Sequence, residues 1–462
     1  MIAARRTTWS FALDHAIARA RELGRPLVVL EPLRAGYRWA SDRFHSFVIH
    51  GMRDNTAAFA KAHVTYLPYV ERAAGEGKGL LLELAKRACL VVTDEQPGFF
   101  LPRMVAAAAS ELPVRLEQVD GNGLLPLRAS DRAFSSAAHF RRHLQKTLAP
   151  HLVTAPAASP LARLPRALRD GEVPSSVLKR WTFGTDTDLA SLPIDHTVAP
   201  SPIQGGSRAA QLALDHFIDD KLARYGDGHD HPDDDAASGL SPWLHFGHVS
   251  AHEVAARVWA DANWDPSRVA DAKATGSREG WWGLPGSHER FLDELVTWRE
   301  LGYGFCFHRP DYDRYSSLPD WAQKTLGDHA TDLRPVLYTP KQLETAATGD
   351  PVWNAAQRQL VAEGRIHNYL RMLWGKKILE WSPSPQRALA TLIELNNRYA
   401  LDGRDPNSYS GIFWTLGRFD RPWAPTRPIF GAVRYMSSTN TLKKLHIKKY
   451  LARWSAQPRL LD

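Results

Sequence analysis

The stretch RIHNYLRMLWGKKILEW, residues 365–381, sets the reading of this chain. It places Trp374 and Trp381 seven residues apart among Arg365, Arg371, Lys376, Lys377 and His367, with no nucleophile. Seven residues make two helical turns, so the two indoles share a face, roughly 10 Å apart along the axis. An amphipathic helix that buries two aromatics and solvates its charges accounts for the pattern by itself. What the helix is for has to be read from the rest of the chain.

A length of 462 residues implies more than one domain, each with its own core. Hydrophobic residues at 44% and charged residues at 23% describe an ordinary globular chain. Sixteen Trp are more than such a chain needs, and a net charge of +8 favours a polyanionic partner. Cys89 and Cys306 are the two cysteines, which excludes a disulfide framework and a cysteine-based zinc site. The opening MIAARRTTWSF has no apolar core of a secretory signal. No run approaches ~20 apolar residues, so no membrane span is expected.

Residues 1–150 read as an α/β domain. The runs PLVVLEPL (26–33), VTYLPYV (64–70), CLVVTDE (89–95) and LPVRLEQVD (112–120) have the character of buried parallel strands. Helical patterns such as Trp9 to Leu23 and Ser41 to Ala62 alternate with them, as in a doubly wound parallel sheet. The chain opens directly on a helix, so the first strand of such a sheet is expected to be missing. GEGKG (75–79) has the wrong spacing for a dinucleotide fingerprint, and there is no Walker A motif. Residues 151–206 are rich in Pro, Ala and Ser and read as an extended connector. Residues 207–462 carry helical patterns and long loops. The tail 421–462 interleaves nine Lys or Arg with Trp423, Tyr435, Tyr450 and Trp454. Cations among aromatics suit phosphate contact and base stacking, and a solvated basic helix explains them equally well.

Four further segments carry candidate chemistry. GHDHPDDDAAS (228–238) has metal-ligating residue types, but its adjacent acids read as a polar loop, and no metal site is expected. In SGLSPWLHFGHVS (238–250), Ser238, Gly239 and Ser241 offer hydroxyls and backbone N–H groups that can wrap a phosphate, while a plain N-cap at Ser241 is the simpler alternative. In FLDELVTWRELGYGFC (291–306), Glu294 and Trp298 lie four apart on one helical face. In NNRYALDGRDPNSYSGIFWTLG (396–417), Asp402 is a candidate partner for Arg371, and Phe413 and Trp414 precede the basic tail.

Taken together, SGLSPWLHFGHVS, DELVTWREL, DPVWNAAQ, HNYLRMLWGKKILEW and LDGRDPNSYSGIFWTLGRFDRPW resemble, in order, the class II cyclobutane pyrimidine dimer photolyases of the cryptochrome/photolyase family. The resemblance implies an α/β antenna-type domain followed by an all-α FAD-binding domain. It implies light-driven electron transfer from reduced FAD to a pyrimidine dimer flipped out of double-stranded DNA. The absence of a nucleophile is then no puzzle, because a flavin carries the chemistry. By the same resemblance Trp374 is the indole nearest the flavin, with Trp353 and Trp381 as further hops. Arg371 and Asp402 form the ion pair beside the ring. Asn396 faces flavin N5, with Asn407 as the alternative. Ser238, Gly239, Leu240 and Ser241 hold the phosphates, with Tyr225 as a further cofactor contact. Glu294 hydrogen-bonds the dimer carbonyls. Trp298 and Trp414 wall the flipped lesion above Met372, and Arg434 holds the opened duplex.

Two departures stand out. The missing first strand puts a deazaflavin-type antenna in question. ATGSREGWWGLPGSHER (274–290) reads as an insertion ahead of the Glu294 helix, with Trp281 and Trp282 as packing residues. A blue-light receptor that binds FAD without repair is the main alternative; Glu294, Trp298, Met372 and Trp414 argue against it. Repair of (6-4) lesions would need a pocket histidine, and His245 and His367 read as buried structural residues. The expected protein is a cytoplasmic, nucleoid-associated monomer.

Overall fold

The four apolar runs expected as strands form two parallel pairs. Their spans are β1 (Val28–Leu33), β2 (Thr65–Val70), β3 (Val91–Asp94) and β4 (Leu116–Val119). β1 pairs with β2 in the register Val28 to Thr65, and β3 with β4 in the register Val91 to Leu116. Helices α1 (Phe11–Leu23), α2 (Asp42–Lys61), α3 (Leu80–Ala85) and α4 (Leu101–Glu111) alternate with them. Ser10 caps α1 by accepting from the Leu13 N–H. Among the described residues no ladder joins β1 to β3. The chain start runs there instead. The Met1 ammonium donates to the Leu30 carbonyl at 2.8 Å, and the Ile2, Ala3 and Ala4 N–H groups donate to the Asp94 carboxylate. Burial opposes the Asp94 charge, but the Met1 ammonium and these three donors hold its pKa below the usual value. Residues 1–4 thus hydrogen-bond to both strand pairs.

The computed structural model describes residues 1–271 and 273–455. It divides into two units. Unit 1 comprises Met1–Ala129, Thr147–Ile218 and Gly239–Asp271; unit 2 comprises Ser130–Lys146, Asp219–Ser238 and Ala272–Asp462. Within unit 1, residues 151–206 lack long elements yet contribute to its cores. Leu164 packs with Leu13, Ile17, Val29 and Phe59, Leu192 with Leu33 and Met52, and Trp181 with Tyr69 and Leu80. Burying these apolar side chains is what keeps a Pro-rich segment on the protein surface.

Among the described residues of unit 2 the regular elements are helices. Asn368–Trp381 packs against Pro351–Glu363, Pro385–Tyr399 and Pro406–Thr415, and Arg299–His308 packs along Pro406–Thr415. The last approach depends on Gly302. A Cβ there would lie 2.7 Å from the Asn407 Cα and 2.9 Å from the Pro406 carbonyl oxygen. The GHDHPDDDAAS loop is bound to the basic tail. Asp233 accepts from the Lys449 and Tyr450 N–H groups at 2.9 and 2.8 Å, at the start of the Lys448–Trp454 helix. Asp234 meets His446 at 3.0 Å, and His446 stacks on His231. Residues 456–462 of the tail, with the acid Asp462, lie outside the described residues.

Candidate functional site

The core of unit 2 holds a row of three indoles. Trp353 and Trp374 lie 6.4 Å apart with planes only 3° from parallel. Trp353 and Trp381 meet edge to face at 5.5 Å. The spatial order is therefore Trp374, Trp353, Trp381. The Pro351–Glu363 helix wedges its indole beside two that share the Asn368–Trp381 helix. Trp353 Nε1 donates to the Trp374 carbonyl at 3.0 Å, and Trp374 Nε1 donates to Gln357 Oε1 at 2.9 Å. Gln357 was not singled out from sequence, although its place four residues after Trp353 puts both on one face. Exposure along the row is 2% at Trp374, 0% at Trp353 and 8% at Trp381, so all three indoles are buried and the Trp381 end is the least so. Tyr338 packs edge-on against Trp381 at 5.1 Å.

One turn before Trp374, Arg371 makes a bidentate pair with Asp402, at 2.9 and 3.1 Å. Its Nε is buried and has no acceptor among the described residues. A buried guanidinium N–H without a partner costs free energy, so this site fits a group that brings an acceptor. Asn396 is 3% exposed, and both its amide hydrogens are engaged, on Ser408 Oγ at 2.8 Å and Asn397 Oδ1 at 3.1 Å. What Asn396 can still offer is its carbonyl oxygen. Asn407 is tied locally, with its N–H on Asp405 and its carbonyl accepting from Ser410 Oγ.

Glu294 sits in a π-helical turn, Asp293–Trp298, between the Gly286–Leu292 and Arg299–His308 helices. Such turns re-aim side chains and recur at functional sites. The preceding residue fixes the turn: Asp293 is fully buried and paired bidentately with Arg141, at 2.8 and 3.0 Å. Among the described residues no cation pairs with Glu294 in this way. Burial, and then the neighbouring Asp293 charge, push its pKa up to about 7. Near neutral pH this carboxyl is therefore available as a hydrogen-bond donor. Tyr225 is buried, stacked on His229 at 4.6 Å and edge-on to Phe291, and burial followed by the Glu294 charge raises its pKa.

Trp298, Met372 and Trp414 are each half-buried. Trp298 ends the π turn, and Trp414 lies near the end of the helix packed along Arg299–His308. Lys376 Nζ lies over the Trp414 ring at 4.7 Å and Arg434 at 5.5 Å. Arg434 also covers Trp423 at 4.0 Å and pairs with Asp420 at 2.8 Å, so it is partly neutralised. Lys376 and Asp420 were not anticipated, because burial of a lysine leaves no mark on a helical pattern. Ser238 ends a segment of unit 2, whereas Gly239, Leu240 and Ser241 open a segment of unit 1. Gly239 has φ +67°, and Leu240 is the N-cap of the Ser241–His245 helix, so Ser241 is its first helical residue and not its cap. The fully buried histidine of that stretch is His248, not His245. His367 is half-buried at the N-cap of the Asn368–Trp381 helix. Trp281 and Trp282 are buried and 4.3 Å apart, and Glu289 holds their segment by accepting from the Gly280, Trp282 and Gly283 N–H groups.

No model of a known protein family matches the chain. Curated relatives do. It is 34% identical to the deoxyribodipyrimidine photo-lyase of Methanothermobacter thermautotrophicus, over 98% of this chain and 93% of the relative. It is 33% identical to that of Oryza sativa subsp. japonica, over 98% of this chain and 86% of the relative. It is 32% identical to that of Potorous tridactylus, over 96% and 77%. Among solved structures, a class III photolyase from Agrobacterium tumefaciens aligns with a TM-score of 0.67 at 18% identity, covering 98% of this chain and 85% of that one. A Synechocystis cryptochrome aligns with a TM-score of 0.70 at 14% identity, covering 98% and 87%. An α/β unit with a helical one is the fold these structures share.

Proposed function

The chain belongs to the deoxyribodipyrimidine photo-lyase family, and we propose on that premise that it reverses cyclobutane pyrimidine dimers in DNA under blue light, as a class II-type enzyme. The observation that carries this reading is the row Trp374–Trp353–Trp381 beginning one turn from the Arg371–Asp402 pair. A redox row needs a redox centre at its inner end, and the unsatisfied Arg371 Nε offers that centre a hydrogen bond.

FAD, when bound, supplies the light absorption and the electron. The residues of this chain hold and surround it. Arg371 supplies a cation beside the ring, tempered by Asp402. Asn396 presents a fixed carbonyl, which suits a ring N–H. The indole row would pass electrons inward from its Trp381 end. Glu294, protonated, donates to a dimer carbonyl and stabilises the negative charge that develops there. Trp298, Met372 and Trp414 enclose the extruded lesion; poor stacking of a damaged base lowers the cost of extrusion. Basic residues of the tail and Arg434 hold phosphates.

The test is repair of a thymine-dimer oligonucleotide by purified, reduced protein, under blue light and in darkness, after an absorption spectrum. Light-dependent reversal with bound flavin is the expected result. Bound flavin that photoreduces without reversing the dimer would transfer the reading to a light receptor. A colourless protein would defeat both.

A further inference from the structure

Lys376 is 1% exposed in the core of unit 2. An aliphatic side chain of equal length would fill that space without desolvating a charge. The ammonium does two things that an aliphatic chain cannot. It donates to the Thr415 carbonyl at 2.7 Å, and it lies 4.7 Å from the centre of the Trp414 ring. Thr415 ends the Pro406–Thr415 helix, where carbonyls lack intrahelical donors. The same nitrogen therefore holds the backbone immediately after Trp414 and the indole itself. Close approach is built in: at Gly375 a Cβ would lie 2.4 Å from Thr415 Cγ2.

The neighbouring lysine shows the contrast. Lys377 lies 5.4 Å from the Trp381 ring but pairs with Glu380 at 2.8 Å and reaches Asp350 at 3.9 Å. Lys376 has a carbonyl where Lys377 has carboxylates. The charged groups that act on Lys376 are Asp420, itself paired with Arg434, and Arg434.

We propose that Lys376 is a positioning residue for Trp414, clamping the half-buried indole in place before a lesion arrives. The inference rests on the reading of Trp414 as a lesion wall. Its physical content is that an indole ordered in advance need not be ordered on binding. Holding one such side chain is worth about 3- to 10-fold in affinity. Burial, partly offset by Asp420, brings the Lys376 pKa down to about 7, so the clamp is an ammonium at pH 6 and largely an amine at pH 9.

The experiment compares the wild type with Lys376→Met, each carrying its flavin, in darkness. The affinities for a dimer-containing oligonucleotide and for the undamaged one are measured from pH 6 to pH 9. Glu294 titrates in both proteins and cancels in their ratio. The expected result is a discrimination about 3- to 10-fold better in the wild type at pH 6, with the advantage vanishing by pH 9. Equal discrimination at every pH overturns the proposal. So does a constant difference accompanied by a lower Tm, which would make Lys376 only a cap for Thr415. Should Lys376→Met fail to fold, 5-fluorotryptophan in the wild type gives the same answer. The Trp414 resonance, assigned with Trp414→Phe, should titrate near pH 7, and a resonance that stays fixed refutes the clamp. Trp414→Ala is the separate control. Undiminished discrimination there removes Trp414 from the lesion site, whatever Lys376 does.

Discussion

Half-buried Glu294 and buried Lys376 have pKa values that converge on about 7 from opposite sides, one raised from 4.5 and one lowered from 10.5. Their effects on stability have opposite signs. Between pH 4.5 and 7 the folded chain keeps the Glu294 proton that the unfolded chain loses, so this contribution falls as pH rises. Between pH 7 and 10.5 the unfolded chain holds the Lys376 proton that the folded chain lacks, so that contribution rises with pH. Chemical denaturation should therefore show a Glu294→Gln variant that is less sensitive to pH than the wild type from pH 5 to 7, and a Lys376→Met variant less sensitive from 7 to 10. In repair, Glu294→Ala should slow dimer reversal by about 100-fold while flavin remains bound, as loss of one preorganised donor does elsewhere. Loss of the flavin in that variant would make Glu294 a structural residue. Wild-type affinity for the lesion should weaken as pH rises through 7 and the Glu294 donor ionises.

At the scale of elements, the indole row joins two helices, and the role proposed for it can be tested separately from repair. Trp374→Phe should abolish photoreduction of the flavin yet leave reversal intact when the protein is chemically reduced beforehand. A variant dead in both assays would make Trp374 part of the packing alone. The turn that carries Glu294 leans on Arg141–Asp293. Arg141→Ala leaves a buried carboxylate unpaired and should cost about 3–5 kcal/mol in urea denaturation. Gly302→Ala, pressing backbone against backbone at Asn407, should cost about 1–3 kcal/mol by the same measurement. Much at this scale was legible in the sequence. All four strands fall within the apolar runs read for them, because each run brings apolar residues to the sheet even where it is only partly buried, as in β4 with Gln118 exposed. The Arg371–Asp402 contact was readable as opposite charges in two candidate segments. The π turn was not, because periodicity counts residues per turn and a single-turn change hardly alters the count. Nor was the splitting of the sheet into pairs, which depends on where residues 1–4 run.

For the molecule as a whole, the loop 228–238 and the tail have complementary charges. Asp233 accepts from two N–H groups at the start of the Lys448–Trp454 helix, and the ligand atoms of Asp234, His231 and His446 lie within 4.8 Å of one another. Asp233→Ala should cost about 1 kcal/mol, the worth of an N-cap. Hydrogen exchange at the Lys449 and Tyr450 amides should accelerate while the Trp374 helix stays protected. If the tail carries phosphate contacts, the salt dependence of DNA affinity should also change in that variant; an unchanged slope would place those contacts elsewhere.

The middle indole of the row comes from one helix and its two ends from another. Under the proposed function, an electron crossing from Trp381 to Trp374 would therefore pass twice over the seam between these helices. Its rate is a gauge of how tightly that seam is closed. On warming, the seam can loosen by fractions of an ångström before the cofactor leaves or the helices melt. Photoreduction should then fade at a lower temperature than flavin release, and the chain would carry within it a thermometer for its own packing.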